Sequence, residues 1–325
     1  MRTSRIKIPP QEGAAIYHCI SKTVNGERLL DSAAREILRR QMWQMADFCG
    51  VQILTYALLS NHFHILVLVP KTTTISDTEL LRRYKVLYPQ PTKFQVAKLD
   101  VLGKKLAADD EDIHAWRRQQ QALMGDVSQF MKLVKQRFSI WFNHKHGRFG
   151  TLWSERFKSV LVENGAALRT MAAYIDLNPV RAGLTQDPKD YRFCGYAEAV
   201  AGNAKLRVSL AGILELTDWK PAQQVYRKML FGGKAKPDTA SPSAAQVRKI
   251  IAEHGALSAA ELLRCRVRYF TDGAVLGGKA FVTRQLERHR QRTGKKPNAV
   301  PHPLPITSDG KELTIMHGLR RQAIG

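Results

Sequence analysis

The sequence is poor in acidic residues. Only 28 Asp and Glu residues stand against 51 Lys and Arg residues, which gives a formal net charge of +23. An excess of this size costs self-repulsion in the folded state and is typical of proteins that bind a polyanion. Basic surface for solubility alone is a weaker explanation, because added acidic residues favour solubility more than added basic ones. We therefore expect nucleic acid as the partner.

Cysteine and long apolar runs are also scarce. The four cysteines, at positions 19, 49, 194 and 265, form no CxxC pair and no zinc-like spacing. We expect them to be small buried side chains in a reducing compartment. No apolar run approaches the roughly 20 residues of a membrane helix, and residues 1–10 lack the apolar core of a signal peptide. These features predict a soluble, cytoplasmic protein with no membrane partner.

Phosphate-binding glycine loops and internal repeats are absent too. Neither GxxxxGK[ST] nor GxGxxG occurs, which argues against the phosphate-cradling loops of nucleotide-binding proteins. The length of 325 residues predicts one large domain and a smaller one, and a hydrophobic content of 44% is enough for a core.

Apolar periodicity predicts a strand, a helix and a hairpin in the first part of the chain. Strands are predicted over 14–23 and 51–59, and apolar residues at helical spacing predict a helix over 33–48. The turn at Ser60-Asn61 leads into an apolar strand that ends before Pro70. We therefore expect the last two strands to form an antiparallel hairpin.

The middle of the chain predicts further helices and one strand. Residues 75–123 are polar and charged and indicate surface helices inserted into a smaller core. An amphipathic helix is predicted over 126–144 and a strand over 153–162. The next helix opens at Gly165 and ends near Asn178-Pro179.

The last third of the sequence has a different composition. Residues 234–243 resemble a linker, and two short helical patterns follow at 244–253 and 258–265, with a third near Lys279. A small DNA-binding module is one interpretation, although such helix pairs are common. Four prolines at 297, 301, 303 and 305 in a basic context predict a partly disordered tail.

Two histidines on the predicted hairpin carry the first chemical signal. His62 and His64 are separated by one residue, so their side chains point to the same face of a strand. Such a pair is more often part of a hydrogen-bonded core than of a metal site. Here both faces of the strand are apolar, and a buried pair needs a common partner. A shared divalent ion would suit phosphate chemistry in a basic protein.

A candidate nucleophile lies downstream. Tyr174 and Asn178 are four residues apart and therefore share one helix face. A tyrosine hydroxyl near a metal-bound phosphate can attack it, and an amide oxygen can complete the ligands of Mg²⁺ or Mn²⁺. Without the histidines, an ordinary half-buried aromatic and a helix terminator would be the preferred interpretation.

Together these residues resemble a known family. His62-Phe63-His64 resembles the HUH motif (histidine, bulky hydrophobe, histidine) of single-strand DNA endonucleases. With the later run YIDLNPVRAG from Tyr174 to Gly183, the sequence resembles the one-tyrosine transposases of the IS200 type. It is most similar to their REP-associated branch. The resemblance covers about residues 12–200, and the two motifs in this order are far more specific than HFH alone.

The resemblance implies a fold and an activity. The fold would be α+β, with a ferredoxin-like domain built on a central antiparallel sheet, flanking helices, a long helical insertion and a mainly helical C-terminal region. His62, His64 and Asn178 would hold Mg²⁺ or Mn²⁺. Tyr174 would cleave single-stranded or hairpin DNA through a covalent 5′-phosphotyrosine. Family members act as monomers or as homodimers, and the protein would be nucleoid-associated when bound to DNA.

Candidate DNA contacts are basic and aromatic residues near the expected site. They are Arg137, Arg148, Phe149, Arg156 and Lys158. Core packing is the better interpretation for the nearby Trp141.

The resemblance also sets the expected domain organisation. We expect a catalytic domain over 1–200 with an insertion at about 71–125, a connecting region and linker over 201–243, and a small helical region with a basic tail over 244–325. Two alternatives remain: a rolling-circle replication or relaxase-type initiator with the same histidine motif, and a non-catalytic DNA-binding regulator descended from a transposase. The position of the histidines upstream of the tyrosine argues against the first, and the intact set of four site residues argues against the second.

Overall fold

The computed structural model describes residues 5–71, 74–232, 263, 269–294, 301–308 and 311–317. The predicted linker at 234–243 and the predicted helices at 244–253 and 258–265 lie outside the described residues, apart from Leu263. No helix within the described ranges is long and apolar enough to cross a membrane.

One seven-stranded sheet organises the described part of the chain. Its strands are β1 (Ala15–Lys22), β2 (Gln52–Leu58), β3 (His62–Val69), β4 (Lys158–Val162), β5 (Gly273–Gly277), β6 (Pro301–Ser308) and β7 (Lys311–His317). The spatial order is β2-β3-β1-β4-β5-β7-β6. Neighbouring strands are antiparallel except β4 and β5, which are parallel.

The first four strands and two helices form a ferredoxin-like core. Helices α1 (Ser32–Cys49) and α5 (Val127–His146) follow β1 and precede β4, and they pack together. Asp31 caps α1 by accepting a hydrogen bond from the backbone N–H of Ala34, and Gly50 ends it in the left-handed conformation. The predicted α+β class with a central antiparallel sheet and flanking helices is confirmed.

Three helices form the predicted insertion. They are α2 (Asp77–Val86), α3 (Lys93–Ala108) and α4 (Glu111–Gln121). The insertion is attached to α1, since Gln44 donates a hydrogen bond to the carbonyl of Val86 and Arg82 pairs with Asp47 at 2.9 Å. The insertion therefore lies on the helical side of the ferredoxin-like core.

A second group of helices follows β4. They are α6 (Ala166–Asp176), α7 (Asn178–Arg181), α8 (Gly195–Val200), α9 (Ala204–Ile213) and α10 (Trp219–Phe231). Helix α6 is buried along its whole length and packs on β2 and β3. Helix α8 also approaches β2 closely. A Cβ at Gly195 would lie 3.0 Å from the Cα of Thr55, so only glycine fits at this position.

A buried carboxylate fixes the end of α6. Asp176 is completely buried and accepts hydrogen bonds from the Thr55 hydroxyl at 2.8 Å, the Tyr226 hydroxyl at 2.6 Å and the backbone N–H of Tyr196 at 3.1 Å. Desolvation raises the pKa of Asp176 to about 6 although these donors oppose the shift. The carboxylate therefore ties α6 to β2, α8 and α10.

The C-terminal region differs from its sequence-based description. It contributes α11 (Tyr269–Asp272), β5, α12 (Lys279–Thr293), β6 and β7, and β5 continues the sheet beside β4. Helix α12 is the helix predicted to begin near Lys279. The predicted disordered tail is wrong for 301–308 and 311–317, which form a hairpin of strands. The prolines fit there because β6 is the edge strand of the sheet, where backbone N–H donors are dispensable.

We expect Tyr226→Phe to lower the free energy of unfolding by about 1.5–3 kcal/mol, because the buried Asp176 carboxylate loses a donor that cannot be replaced by water. Chemical denaturation monitored by circular dichroism measures the effect. Tyr88→Phe is the control: its half-buried hydroxyl bonds only to that of Tyr84, and its loss should cost about 1 kcal/mol or less. Equal stability of the wild type and Tyr226→Phe would contradict the role of Asp176.

Candidate functional site

The histidine pair lies on the face of β3 that α6 covers. His64 is paired with Ile20 of β1, and His62 is paired with Lys22. The two imidazole rings are on the same side of the sheet, with centroids 5.1 Å apart. Phe63 points to the other face, where its ring packs against that of Trp153 at 5.4 Å.

Tyr174 on α6 packs against this histidine face. Its ring centroid lies 6.1 Å from that of His64 and 6.1 Å from that of His18. Phe270 of α11 lies on the same ring at 4.7 Å, and the guanidinium of Arg181 lies 4.0 Å from the ring centroid. The tyrosine is only 5% exposed, so a substrate that reaches its hydroxyl must displace part of this cover.

Asn178 begins α7, one turn after Tyr174. Its Nδ2 donates hydrogen bonds to the carbonyls of Tyr174 at 3.3 Å and Ile175 at 3.1 Å. Because carbonyls only accept, this bonding assigns the amide nitrogen, and any role of Asn178 as a ligand falls to Oδ1. The structure thus brings His62, His64 and Tyr174 together. Asn178 lies one helical turn beyond Tyr174.

The imidazoles of this site are neutral at physiological pH. Burial, with smaller effects of Lys22 and Arg181, lowers the pKa of His62 to about 4. Burial also places the pKa of His64 well below its usual value, with contributions from His18, His62 and Arg181. A neutral imidazole offers a nitrogen lone pair without competition from protons, which is the form that binds metal ions.

The donor chemistry fits a divalent ion held by nitrogen and amide oxygen. Within the described residues, no group of three or more His, Cys, Asp or Glu side chains is placed to hold a metal ion. An ion here would therefore rely on His62, His64 and the Asn178 amide oxygen. The amide oxygen suits Mg²⁺ or Mn²⁺, and the imidazole nitrogens suit divalent transition-metal ions.

Positive charge surrounds the histidine face. Lys22 is exposed and directly opposite His62, and Lys158 of β4 is opposite Ile20, so its side chain shares the face of His64. Arg181 adds a third cation beside Tyr174. This field favours an anionic ligand over a neutral or cationic one.

The candidate DNA contacts lie in different surroundings. Phe149 is 97% exposed, in a loop whose Gly147 and Gly150 have positive φ. Arg148 is half-buried with its guanidinium 5.9 Å from the Phe142 ring centroid. Arg137 is half-buried and donates to the carbonyl of Leu87 at 3.4 Å, which tethers α5 to the insertion. Arg156 and Lys158 are exposed, and Lys158 pairs with Glu155 at 3.6 Å.

Sequence reasoning missed three residues that contact the site. Arg181 could have been found, because it is seven residues after Tyr174 and so lies on the same helical face. His18 could have been found only by knowing that β1 pairs with β3. Phe270 had no signal, since it lies 96 positions after Tyr174 in a region that was expected to be separate.

We expect acid to destabilise the fold through these histidines. The unfolded chain binds a proton on each histidine near pH 6.5, whereas folded His62 binds one only near pH 4, so the free energy of unfolding falls as pH decreases through this window. When the pH is lowered from about 7 to about 5, the free energy of unfolding decreases in both proteins. The decrease should be about 1–2 kcal/mol smaller for His62→Gln than for the wild type.

Urea denaturation at the two pH values measures this difference. Asp176 acts in the opposite direction, since its raised pKa lets the folded state hold a proton below about pH 6, but it does so equally in both proteins. Identical pH dependence of the two proteins would contradict the neutral state of half-buried His62.

Comparisons with known proteins find a distant structural likeness. No protein-family model and no curated protein matches the chain. A solved structure of a REP-associated tyrosine transposase bound to a REP hairpin aligns with a TM-score of 0.40 and 16% identity, over 62% of this chain and 87% of that one. A likeness this distant assigns no function to the chain.

Proposed function

We propose that this protein is a metal-dependent single-stranded DNA endonuclease and strand transferase, a transposase-type enzyme that acts on hairpin or palindromic DNA. The observation that carries the proposal is the packing of Tyr174 on α6 against His64 on β3, with His62 beside it. These residues come from two motifs more than a hundred positions apart. A nucleophile, a pair of neutral imidazoles and surrounding cations are the components that cleavage of a phosphodiester needs.

The proposed reaction is a transesterification at phosphorus. The Tyr174 oxygen forms a bond to phosphorus as the bond to the 3′ oxygen breaks, which leaves a 5′-phosphotyrosine and a free 3′-OH. The proton lost by the phenol is balanced by the one that the 3′ oxygen gains. The reverse reaction rejoins strands, so no external energy source is needed.

The chain's own groups have defined tasks in this scheme. Arg181 lies over the Tyr174 ring, where its positive charge can stabilise the negative charge of a bound phosphodiester. A divalent ion held by His62, His64 and Asn178 would polarise a phosphoryl oxygen and orient the scissile bond. Lys22 and Lys158 lie where they can contact neighbouring phosphates on the same face of the sheet.

The Phe149 loop is the proposed contact for unpaired bases. It precedes Leu152, whose carbonyl accepts a hydrogen bond from Val24, and the adjacent Thr23 bonds to the carbonyl of Asn61. The loop therefore leaves the sheet at the end where His62 lies. An exposed aromatic ring among basic residues is the usual stacking surface for single-stranded nucleic acid.

We expect Tyr174→Phe to reduce formation of a covalent DNA–protein adduct by at least about 10³-fold, because the nucleophile is removed. The assay incubates the protein with single-stranded hairpin DNA and Mn²⁺ or Mg²⁺ and resolves the adduct on a denaturing gel. Hairpin binding should change little. Tyr17→Phe is the control, since Tyr17 lies on the opposite face of the same sheet.

Metal dependence is tested in the same assay. His64→Ala and excess EDTA should each abolish the adduct. Undiminished cleavage by Tyr174→Phe would disprove the nucleophile, and undiminished cleavage under chelation would disprove the metal. Tight hairpin binding by the wild type without any adduct would instead favour a non-catalytic DNA-binding regulator.

We expect Phe149→Ala to weaken binding of the single-stranded hairpin by about 1–3 kcal/mol, the usual value of one stacked base. Fluorescence anisotropy at fixed salt measures the affinity, which should also fall steeply as salt increases. Phe94→Ala is a matched control, because Phe94 is an 89% exposed phenylalanine on α3. An equal loss in both variants would contradict a specific stacking site at Phe149.

A further inference from the structure

A buried histidine that takes no part in the proposed chemistry joins the site to the C-terminal region. His18 on β1 has no solvent exposure. Its Nδ1 lies 2.9 Å from the carbonyl oxygen of Phe270, and its Nε2 lies 2.8 Å from Nδ1 of His64. The two imidazole planes are nearly parallel, at 18°.

The partners of His18 determine where its proton lies. The Phe270 carbonyl can only accept, so Nδ1 of His18 carries the hydrogen. The ring has no solvent exposure, and a neutral imidazole with its hydrogen on Nδ1 offers only a lone pair at Nε2, so Nε2 is an acceptor. Nδ1 of His64 must then be the donor to Nε2 of His18.

This chain of hydrogen bonds fixes the tautomer of His64. With its proton on Nδ1, the neutral His64 ring keeps its lone pair on Nε2. The tautomer of His62 is also fixed by a hydrogen bond, in this case to Asn61. Its Nδ1 lies 2.7 Å from Oδ1 of Asn61, and the Asn61 amide is oriented by its own donation to the carbonyl of Gly26 at 3.1 Å.

We propose that His18 is a positioning residue, anchored by the Phe270 carbonyl, that holds His64 in the Nδ1–H tautomer and so prepares its Nε2 as a ligand nitrogen before any ion arrives. The inference rests on the proposed function only where it takes His64 to be a metal ligand. The partner of a ligating histidine is more often a carboxylate, a carbonyl or water. A neutral imidazole in that place adds no negative charge, so the bound ion would keep its full attraction for the substrate phosphate.

The tautomer can be measured in the wild-type protein. Long-range ¹H–¹⁵N correlation spectra of the full chain, labelled with ¹⁵N-histidine and free of metal, report which nitrogen of His64 is protonated. We expect Nδ1 to be protonated and Nε2 to be bare. Protonation of His64 on Nε2 would overturn the proposal without any variant being made.

Variants test the consequence for metal binding. His18→Leu removes the acceptor and should weaken Mn²⁺ binding to the DNA-free protein by about 10-fold or more. His18→Gln offers an amide oxygen to His64 and an N–H to Phe270, and it should restore affinity to within about threefold of the wild type. Electron paramagnetic resonance of free Mn²⁺ measures the affinity.

A matched control separates positioning from stability. Ser21→Ala alters a buried side chain on the opposite face of the same strand and should leave Mn²⁺ binding unchanged. Unaltered Mn²⁺ binding by folded His18→Leu would overturn the proposal, as would equal losses in His18→Leu and His18→Gln. If His18→Leu does not fold, the tautomer of His64 in the wild-type spectrum and the Mn²⁺ affinity of His18→Gln test the proposal.

The result is distinguishable from failure of the proposed function. The expected tautomer and metal affinity without any DNA adduct would leave the positioning role intact and remove the nuclease activity. A DNA adduct together with His64 protonated on Nε2 would support the nuclease activity and overturn the positioning role of His18.

Discussion

The contact between α6 and the histidine face of the sheet is the constraint on which the site depends. Tyr174 reaches His64 only because α6 lies flat on β2 and β3, and the end of that helix is held by the buried Asp176 carboxylate. A buried carboxylate is costly unless it is hydrogen-bonded, and the three donors to Asp176 favour the observed position of the helix. The network that secures the fold therefore also helps to set the distance between Tyr174 and the imidazoles.

The site is cationic and has few acids, which suits a polyanionic substrate. His62 and His64 are neutral, because burial and, to a smaller extent, Lys22 and Arg181 lower their pKa values. The neutral ligands would therefore not compensate the positive charge of a bound ion. The negative charge of the phosphodiester would do so when the substrate binds. The basic composition of the whole chain extends this field, and affinity for DNA should rest largely on phosphate contacts.

The sequence predicted the parts of the site that depend on the spacing of residues within a few positions of one another. Alternation in β3 placed His62 and His64 on one face, and a spacing of four put Asn178 one helical turn after Tyr174. The strands and helices of the core followed from the same periodicities, and their ferredoxin-like arrangement was implied by the resemblance that the two motifs carry. Both kinds of pattern are local, because each depends on residues within a few positions of one another.

The remaining parts depend on contacts between distant segments, which no local pattern encodes. His18 becomes part of the site only through the pairing of β1 with β3, and Phe270 only through the pairing of β5 with β4. Strand β6 was missed because its prolines argue against a strand everywhere except at a sheet edge, and the edge is a property of the whole sheet.

The central claim is that His62, His64, Asn178 and Tyr174 form one metal-dependent centre. Anomalous diffraction from crystals soaked in Mn²⁺ tests it most directly. The account predicts one strong peak within bonding distance of Nε2 of His62, Nε2 of His64 and Oδ1 of Asn178, beside the Tyr174 hydroxyl. A peak that contacts neither histidine, or no peak at an Mn²⁺ concentration that supports DNA cleavage, would contradict it.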